Sequence, residues 1–413
     1  MEEYEMVSRN GKGYDKERVN IILNTSSGDK VSSSLGGPPP CGIAVTSSVR
    51  QTRFHANSPL VTDSHHAFHV LSVIHVNPTR IAKHRKKEFK GIPTQFSALV
   101  IWNPFSMAEA STFLDTRRHA VVTGANKGIG LEICRQLASK GVTVVLTSSD
   151  EKRGLEAVCK LKEEGSAAPS GEVVFHQLDV TDSASIDSLV KFVSTRFGKL
   201  DILVNNAGIN GIILDFQAFT SAVERVGGWP TDEEEWKMMA TQNYKLAIEC
   251  LETNYFGAKR VTEALLPLLQ QSSSARIVNV SSDLGFLQNI PGESIKDALG
   301  DIENLTGNQI EEILKKFLED FQRGQLAAKG WPETISAYKL SKAAMNAYTR
   351  LLAKEFPTFL VNSVCPGFVK TDMTGNNGLL SAPQGAEGPV HLALLPEMGP
   401  SGLCFFRKEV CSF

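Results

Sequence analysis

A tyrosine and a lysine one helical turn apart are the side chains of this sequence best suited to moving a proton. Tyr338 and Lys342 fall in a strongly helical stretch, and residues four apart lie on one helix face. A phenol, with an ordinary pKa of about 10, is a weak acid near neutrality. A neighbouring ammonium favours the phenolate, so we expect Lys342 to lower the pKa of Tyr338. The pair could then protonate a developing alkoxide or deprotonate an alcohol. Taken alone, the spacing is common, and an exposed helix pair is the simpler interpretation.

Two serines end a strand-like run, where an α/β sheet presents its ligands. The hydroxyl of Ser281 or Ser282 could hydrogen-bond a substrate carbonyl there. No histidine lies nearby in sequence, which disfavours a hydrolase-type nucleophile. Capping a turn is the alternative role for these serines.

Asparagines occupy two further positions of interest. Asn205 and Asn206, followed by Ala207 and Gly208, come directly after another strand-like run. Their amides could satisfy backbone groups of a turn or hold the adenosine side of a cofactor. Asn254 lies inside a long helical pattern, where asparagine is a mediocre residue, so a functional role is open but not required.

Three glycines stand where a strand would turn into a helix. Residues 120–131 read A-V-V-T-G-A-N-K-G-I-G-L, which places Gly124, Gly128 and Gly130 after a β-branched run. Glycine permits unusual φ values and a close approach of the backbone. The amides that open a helix can bind a pyrophosphate. The spacing differs from the common G-x-G-x-x-G, and such a turn can also serve only to link two elements.

The elements that would position these groups alternate regularly. Strand-like runs cover residues 119–123, 143–147, 172–178, 201–204, 275–281 and 359–365, and helical patterns cover 129–140, 151–164, 183–197, 244–269 and 336–356. This alternation predicts an α/β fold, a doubly wound parallel sheet of Rossmann type with helices on both faces. Residues 402–406 are the best candidate for an added edge strand.

Residues 283–334 interrupt the alternation. Apolar residues at helical spacing within them predict an inserted amphipathic helix; they are Ile310, Ile313, Leu314, Phe317, Leu318 and Phe321. We expect this helix to pack over the domain near the cleft as a lid or flank. A helix that binds a partner is the alternative.

Residues 1–106 lack the pattern of the rest of the chain. They contain a Ser/Gly/Pro cluster at 32–40 and a basic run at 80–90. We interpret the run as a solvated, disordered charge run rather than a nuclear-localisation or nucleic-acid patch. The histidines from His55 to His84 lack paired spacing, so no metal is expected. We predict a disordered extension over 1–106 and one domain over 107–413.

Composition excludes several classes of protein. Of 413 residues, 42% are hydrophobic and 21% charged, as in ordinary globular proteins, and the net charge of −2 gives no reason to expect nucleic acid or an anionic membrane. Seven scattered cysteines without metal or C-x-x-C spacing indicate reduced thiols. No apolar run reaches the roughly 18 residues that span a bilayer. The acidic amino terminus lacks the apolar region of a signal peptide, so we expect a cytoplasmic protein.

The order of the motifs is more specific than any one of them. T-G-x-x-x-G-x-G, N-N-A-G, a single Asn, S-S, Y-x-x-x-K and P-G follow one another over about residues 117–410. This order resembles the short-chain dehydrogenase/reductase family. The resemblance implies an NAD(P)-binding fold and a catalytic tetrad of Asn254, Ser282, Tyr338 and Lys342. Ser282 is preferred to Ser281 because the family's serine precedes x-x-G.

The family also implies a role for each member of the tetrad. Tyr338 would be the acid/base, Ser282 would orient the carbonyl, and Lys342 would bind the nicotinamide ribose. Asn254 would support a proton-relay water. The sequences of these motifs are most similar to those of the plant monomeric reductases. In those reductases the insertion covers the helix that other family members use to oligomerise. A monomer is therefore implied.

The cofactor expected from these patterns is NADPH/NADP+. Its implied binding residues are Thr123, Gly124, Asn126, Lys127, Gly128, Ile129, Gly130, Ser149, Asp179, Val180, Asn206, Ala207, Gly208, Tyr338, Lys342, Pro366, Gly367, Val369 and Thr371. A carboxylate at the end of the second strand would repel a 2′-phosphate. Here that strand ends without a carboxylate, because Ser149 follows it and the first acid is Asp150. Lys127 could pair with that phosphate. Relatives usually carry Arg in place of Ser149, so we expect weaker NADPH binding than in a Ser149→Arg variant.

The function predicted from the sequence is an NADPH-dependent carbonyl reductase acting on a ketone or aldehyde, with the reverse alcohol oxidation. An NADP(H)-sensing binding module without catalysis, and an epimerase or dehydratase on the same fold, are the alternatives. Residues 210–229, 367–380 and the insertion would line the substrate pocket as irregular loops. Phe216, Phe219, Trp229, Phe286 and Met373 suggest an apolar, terpenoid- or alkaloid-sized ligand. Ordinary loop packing explains these residues equally well.

Overall fold

The computed structural model describes residues 2–10, 13–21, 118–164 and 171–413. The chain divides into two units between Phe113 and Leu114. In the first, β1 (Glu2–Asn10) and β2 (Gly13–Ile21) form an antiparallel pair that the sequence analysis did not predict. The basic run, the histidines and the predicted boundary at 106/107 lie outside the described residues.

The described residues of the second unit form ten strands. They are β3 (His119–Val122), β4 (Thr143–Ser148), β5 (Val173–Gln177), β6 (Ile202–Asn205), β7 (Ile213–Leu214), β8 (Ala240–Thr241), β9 (Arg276–Val280), β10 (Leu360–Cys365), β11 (Cys404–Phe406) and β12 (Glu409–Cys411). Eight form one sheet in the order β12-β11-β10-β9-β6-β3-β4-β5. All neighbours in it are parallel except β11 and β12. This is the predicted doubly wound sheet.

Eleven α-helices are found in the described part of this unit. They are α1 (Gly128–Ser139), α2 (Glu151–Glu164), α3 (Ser183–Phe197), α4 (Phe216–Val226), α5 (Glu233–Met239), α6 (Tyr244–Leu251), α7 (Ala258–Leu269), α8 (Glu293–Gly300), α9 (Gly307–Gln322), α10 (Ser336–Glu355) and α11 (Ala382–Ala393). Two buried apolar clusters cover the faces of the sheet. Because the central strands are buried on both faces, they read as continuous apolar runs. No helix of the described residues is long and apolar enough to cross a membrane.

Three local predictions are corrected by the structure. The single helix expected over 244–269 is interrupted by a π-helical segment, Glu252–Gly257, between α6 and α7. Residues 402–406 contain β11, but β11 is not the edge because β12 pairs on its outer side. Residues 210–229, expected to be loops, contain β7 and α4. We call residues 210–242 the cap, since its aromatic core of Phe219, Trp229 and Trp236 also contacts the ring of Tyr338.

The insertion forms the predicted amphipathic helix, α9. A capping box at Thr306 and Gln309 begins it, and Ile310, Leu314 and Phe317 are buried. Its buried face packs against α10 and α6. The Trp331 indole donates to Asp320 Oδ2 over 3.0 Å and ties the end of the insertion back to α9. The helix is therefore a flank of the domain.

Candidate active site

The glycine turn between β3 and α1 is packed too tightly for side chains. Gly124 has a φ of +60°, and a Cβ there would lie 2.8 Å from the Cα of Ala207. A Cβ on Gly130 would lie 2.5 Å from Asn206 Nδ2, which donates to the carbonyl oxygens of Thr123 and Gly124 over 2.9 and 3.1 Å. Of the two roles considered for Asn206, the structure shows the turn-satisfying one.

The hydroxyl of Thr123 fastens the same turn from its other side. Thr123 Oγ1 accepts hydrogen bonds from the backbone N–H groups of Asn206 and Ala207, at 2.9 and 3.0 Å. The turn then enters α1 at Gly128, after an extended Lys127 that gives no side-chain cap. The opening N–H groups of α1 are thus not capped by that side chain, and a helix start of this kind fits a phosphate. Asn126 and Ile129, at the same turn, are half-buried.

A second loop lies against the glycine turn. A Cβ on Gly128 would be 3.4 Å from Thr371 Cγ2. Lys127 Nζ forms an exposed ion pair with Asp372 Oδ2 at 2.6 Å. The loop leaves β10 through Pro366 and Gly367, whose φ is +86°, and Val369 forms a bridge with Leu380. Lys127, expected to meet a 2′-phosphate, therefore has a carboxylate partner that a phosphate would have to displace.

The adenosine side of the predicted site lies at the ends of β4 and β5. Ser149 is exposed. The carboxylate of Asp179 accepts hydrogen bonds from the N–H and hydroxyl of Thr181, at 2.9 and 2.7 Å. Val180 is buried, and a Cβ on Gly257 of the π-helical segment would lie 2.7 Å from its Cγ2.

One cation near this position was missed by the sequence reasoning. Arg153, in the first turn of α2, places Nε 3.3 Å from Asp150 Oδ2 and donates its backbone N–H to Asp150 Oδ1 at 2.9 Å. The acid that follows β4 is thus paired. An arginine three residues after an aspartate at a helix start is the signal that could have revealed this pair.

Tyr338 and Ser282 meet at the carboxyl end of β9. Tyr338 lies in the first turn of α10 with a half-buried side chain, and burial raises the pKa of its hydroxyl above the ordinary value, while a hydrogen bond with the Ser282 side chain partly opposes this. Ser282 Oγ also accepts from the N–H of Leu284 at 3.2 Å, so it caps a turn as well. Ser281 points elsewhere and donates to the Lys342 carbonyl over 3.3 Å.

Lys342 is buried beside the phenol. Its Nζ lies 5.5 Å from the centroid of the Tyr338 ring and donates to the carbonyl oxygen of Val280 over 2.8 Å. Burial lowers the pKa of Lys342 to about 8. The expected lowering of the Tyr338 pKa by Lys342 is wrong for this structure, because desolvation of the phenol outweighs any help from the ammonium.

Asn254 lies in the π-helical segment and is fully buried. Its Oδ1 accepts from the N–H of Ile209 at 2.8 Å, and its Nδ2 donates to the Ile209 carbonyl at 2.9 Å and to Ser341 Oγ at 3.0 Å. A Cβ on Gly208 would stand 3.2 Å from Asn254 Oδ1 and 3.7 Å from Lys342 Nζ. The absent side chain thus lets the backbone approach both residues. π-Helical turns of this kind occur frequently at functional sites.

The five residues proposed for the substrate pocket differ in exposure. Phe219 and Trp229 pack in the core of the cap. Phe216 and Met373 remain exposed, and a Cβ on Gly375 would lie 2.3 Å from Phe216 Cδ1, which places α4 against the loop after β10. Phe286 is half-buried in the turn after Ser282.

An open α/β sheet with an uncapped helix behind a glycine turn, and a tyrosine–serine–lysine group at the same edge, defines a dinucleotide-binding oxidoreductase. The chain belongs to the short-chain dehydrogenase/reductase family, which uses a nicotinamide cofactor: the family model for short chain dehydrogenases matches residues 118–294 and 325–379.

Similar proteins are known from several plants. The chain is 57% identical to "Short-chain dehydrogenase/reductase 1" of Saponaria officinalis, over 74% of this chain and all of that protein. It is 54% identical to (+)-neomenthol dehydrogenase of Arabidopsis thaliana, over 72% of this chain and 99% of that one. The structure of salutaridine reductase from Papaver somniferum matches with a TM-score of 0.64 at 48% identity, covering 71% of this chain and 100% of that chain.

Proposed function

We propose that this protein reduces a ketone or aldehyde with NADPH and catalyses the reverse oxidation of the alcohol. The observation that carries the proposal is the grouping of Tyr338, Ser282 and the buried Lys342 at the edge that holds the glycine turn. A nicotinamide, when bound, supplies or accepts the hydride. Ser282 orients the carbonyl oxygen by a hydrogen bond. The Tyr338 hydroxyl, which is protonated at neutral pH, gives a proton to the developing alkoxide.

The direct test replaces Tyr338 by phenylalanine. Loss of a general acid typically costs about 10²- to 10⁴-fold in turnover, and we expect a fall of that size with NADPH affinity retained. Tyr348→Phe is the matched control, because Tyr348 lies on the same helix, is buried, and its hydroxyl has no hydrogen-bond partner in the described structure. NADPH oxidation at 340 nm with a ketone, and NADPH binding by fluorescence, are the measurements. Full turnover by Tyr338→Phe would remove Tyr338 from the mechanism.

The proposed preference for NADPH rests on the charges around the ends of β4 and the glycine turn. Asp150, the first acid after β4, is paired with Arg153. Arg153 and Lys127 are the cations at these positions, and we propose that they exchange their partners Asp150 and Asp372 for the 2′-phosphate when NADPH binds. The exposed Ser149 contributes none, so we propose that Ser149→Arg binds NADPH more tightly than the wild type. Equal or tighter binding by the wild type would contradict this account.

The proposed substrate is an apolar molecule of terpenoid or alkaloid size. Six large apolar side chains remain exposed on the cap and on the loop after β10: Ile213, Phe216, Val226, Met238, Met373 and Leu379. The names of the relatives from Arabidopsis and Papaver, a neomenthol dehydrogenase and a salutaridine reductase, agree with this class. A panel of cyclic ketones and aldehydes, followed by NADPH absorbance, would identify the substrate. A clear preference for small charged carbonyl compounds would exclude the proposed class.

We also propose that residues 107–413 form the catalytic domain and that the protein works as a cytoplasmic monomer. α9 covers part of α10 and α6 with the buried side chains of Ile310, Leu314 and Phe317. A helix surface covered within one chain is not available to a second copy. Light scattering of the purified protein tests the monomer.

A further inference from the structure

A polar cluster joins the cap to the catalytic helix and has no part in the proposed chemistry. Lys339, next to Tyr338, is only 7% exposed. Its Nζ donates to Glu233 Oε1 at 2.9 Å and to Thr334 Oγ1 at 3.2 Å. Glu233 is the first residue of α5 in the cap, and its other carboxylate oxygen accepts from the Thr334 hydroxyl. Partial burial opposes ionisation of Glu233, but the hydrogen bonds from Thr334 and Lys339 hold its pKa below the ordinary value.

The position of Lys339 is costly unless the cap lies where it does. A buried ammonium loses its hydration, and only an ionised partner with good geometry offsets that loss. Lys339 is also the fourth residue of α10, close to the end where the helix dipole disfavours a cation. The ion pair with Glu233, a residue of the cap, offsets both the lost hydration and the unfavourable helix dipole. Moving the cap away would break this ion pair and leave Lys339, one residue from Tyr338, with only the Thr334 hydroxyl among its two partners.

A second polar link joins the same two elements. Gln242, at the end of the cap, accepts hydrogen bonds on Oε1 from the backbone N–H and the hydroxyl of Ser336, at 3.1 and 2.7 Å. Its Nε2 donates to the Glu333 carbonyl at 2.6 Å. Gln242 therefore serves the residue that opens α10, an N–H that the helix itself leaves unpaired.

An apolar link completes the junction. Ile335 has a φ of +47°, a left-handed conformation that is a true outlier for a β-branched residue and costs on the order of 1–3 kcal/mol. Its side chain is buried in the cap's core with Phe219 and Trp236. The Tyr338 ring contacts the same core. The chain thus holds a strained turn immediately before α10 in order to place one side chain in the cap.

We propose that these five polar residues, Glu233, Gln242, Thr334, Ser336 and Lys339, form a cap clamp that positions the cap over Tyr338 and so sets the affinity for the carbonyl substrate. The inference rests on the proposed function, since it assigns a role in substrate binding at the same site. Lys339 and Glu233 are positioning residues. They hold the cap in place, while the glycine turn that receives the nucleotide lies on the other side of the cleft.

The test compares Lys339→Met and Glu233→Gln with Lys237→Met. Lys237 lies on the same cap helix and forms ion pairs with Glu234 and Glu333 at 2.8 and 3.4 Å. The pair with Glu333 joins the cap to the same segment before α10, but both of its side chains are exposed, so it should contribute little and serves as the control for a solvated link. We expect both clamp variants to raise the KM for the ketone about tenfold or more, which is the effect of about 1.4 kcal/mol. The NADPH dissociation constant should stay within about twofold of the wild type, and kcat should change less than KM. Lys339→Arg, which keeps the charge, should retain most of the affinity.

Hydrogen–deuterium exchange of the cap provides a readout that needs no substrate or turnover. Residues 211–242 should exchange faster in Lys339→Met and Glu233→Gln than in the wild type, and in Lys237→Met they should not. Glu233→Gln keeps the shape of the half-exposed Glu233 side chain. We therefore expect this variant to fold even if Lys339→Met does not. Wild-type KM and exchange in Glu233→Gln would overturn the clamp and leave the reductase proposal standing. Equal losses of NADPH binding and of substrate binding would also overturn it, since they indicate a general structural role. A wild type that reduces no carbonyl compound would instead refute the proposed function, and the exchange data would still judge the clamp.

Discussion

The two sides of the cleft are built by different means. On the nucleotide side, the side chains of Thr123 and Asn206 hydrogen-bond backbone groups of the turn, and a Cβ added at Gly124 or Gly130 meets atoms at less than 3 Å. On the cap side, aromatic side chains pack on one another at several interplanar angles, and Phe216 and Met373 stay exposed. A rigid backbone turn accepts one kind of ligand, whereas a cap of side chains can be changed residue by residue. The residues of the nucleotide side therefore indicate which cofactor binds, whereas the residues of the cap do not identify the substrate.

The largest effect should come from filling the nucleotide side. In Gly130→Ala the new Cβ would lie 2.8 Å from Ala125 Cα and 2.5 Å from Asn206 Nδ2, so the turn must open. We expect NADPH affinity to fall more than about tenfold, that is by more than about 1.4 kcal/mol. Gly307→Ala is the matched control, because nothing lies within 4 Å of the Cβ added there. Unchanged NADPH titrations of Gly130→Ala would show that the two sides are equally adaptable.

A smaller and cofactor-specific effect is expected at Lys127. Removing its charge in Lys127→Ala should weaken NADPH binding about tenfold and leave NADH binding nearly unchanged, since only NADPH carries the 2′-phosphate. Asp372→Asn, which removes the 2.6 Å ion pair of Lys127, should not weaken the binding of NADPH. Isothermal titration at low and high salt measures both variants, and the difference between cofactors should shrink with salt. If Lys127→Ala lost equal affinity for NADPH and NADH, Lys127 would not bind the 2′-phosphate.

The smallest effect should come from the rim of the cap. Phe216→Ser removes part of the exposed apolar surface beside the loop after β10, so the KM for an apolar ketone should rise a few-fold, about 1 kcal/mol or less. NADPH binding should be unaffected. Met398→Ser is the control, since Met398 is 97% exposed and lies in the loop that packs on the start of β10, away from the strand ends that hold the site. If Phe216→Ser lost NADPH affinity but kept the wild-type KM for the ketone, Phe216 would belong to the nucleotide side rather than to the substrate side.

The sheet and the residues at its carboxyl edge could be predicted because their constraints are local. A central parallel strand must be apolar throughout, and a turn that passes under a backbone must be glycine. The convergence of Ser282, Tyr338 and Lys342 follows from the strand order that the alternation implies. The pKa of Tyr338 did not follow, because its desolvation depends on how the cap packs over it, and the cap has no long periodic signature of its own.

The cap escaped prediction for a physical reason. Its apolar residues pack on one another rather than on the sheet, so no long stripe marks it. Local signals were nevertheless present: Asp215 accepts from the N–H groups of Gln217 and Ala218 to begin α4, and Gly227 ends it with a φ of +69°. An aspartate and a glycine framing eleven residues predict a helix wherever it packs. The clamp, in contrast, joins positions about a hundred residues apart and has no sequence signal.

The π-helical segment described above has a consequence for how such a protein changes over time. Because Asn254 holds both the N–H and the carbonyl of Ile209, the chain is pinned at the last residue before the cap. Gly211, with a φ of +65°, is the next point at which the backbone turns. Substitutions beyond that point can reshape the recognition surface without moving the amide behind it. The hydrogen bonds at Ile209 thus separate the segment that carries Asn254 from the cap that we propose to bind the substrate.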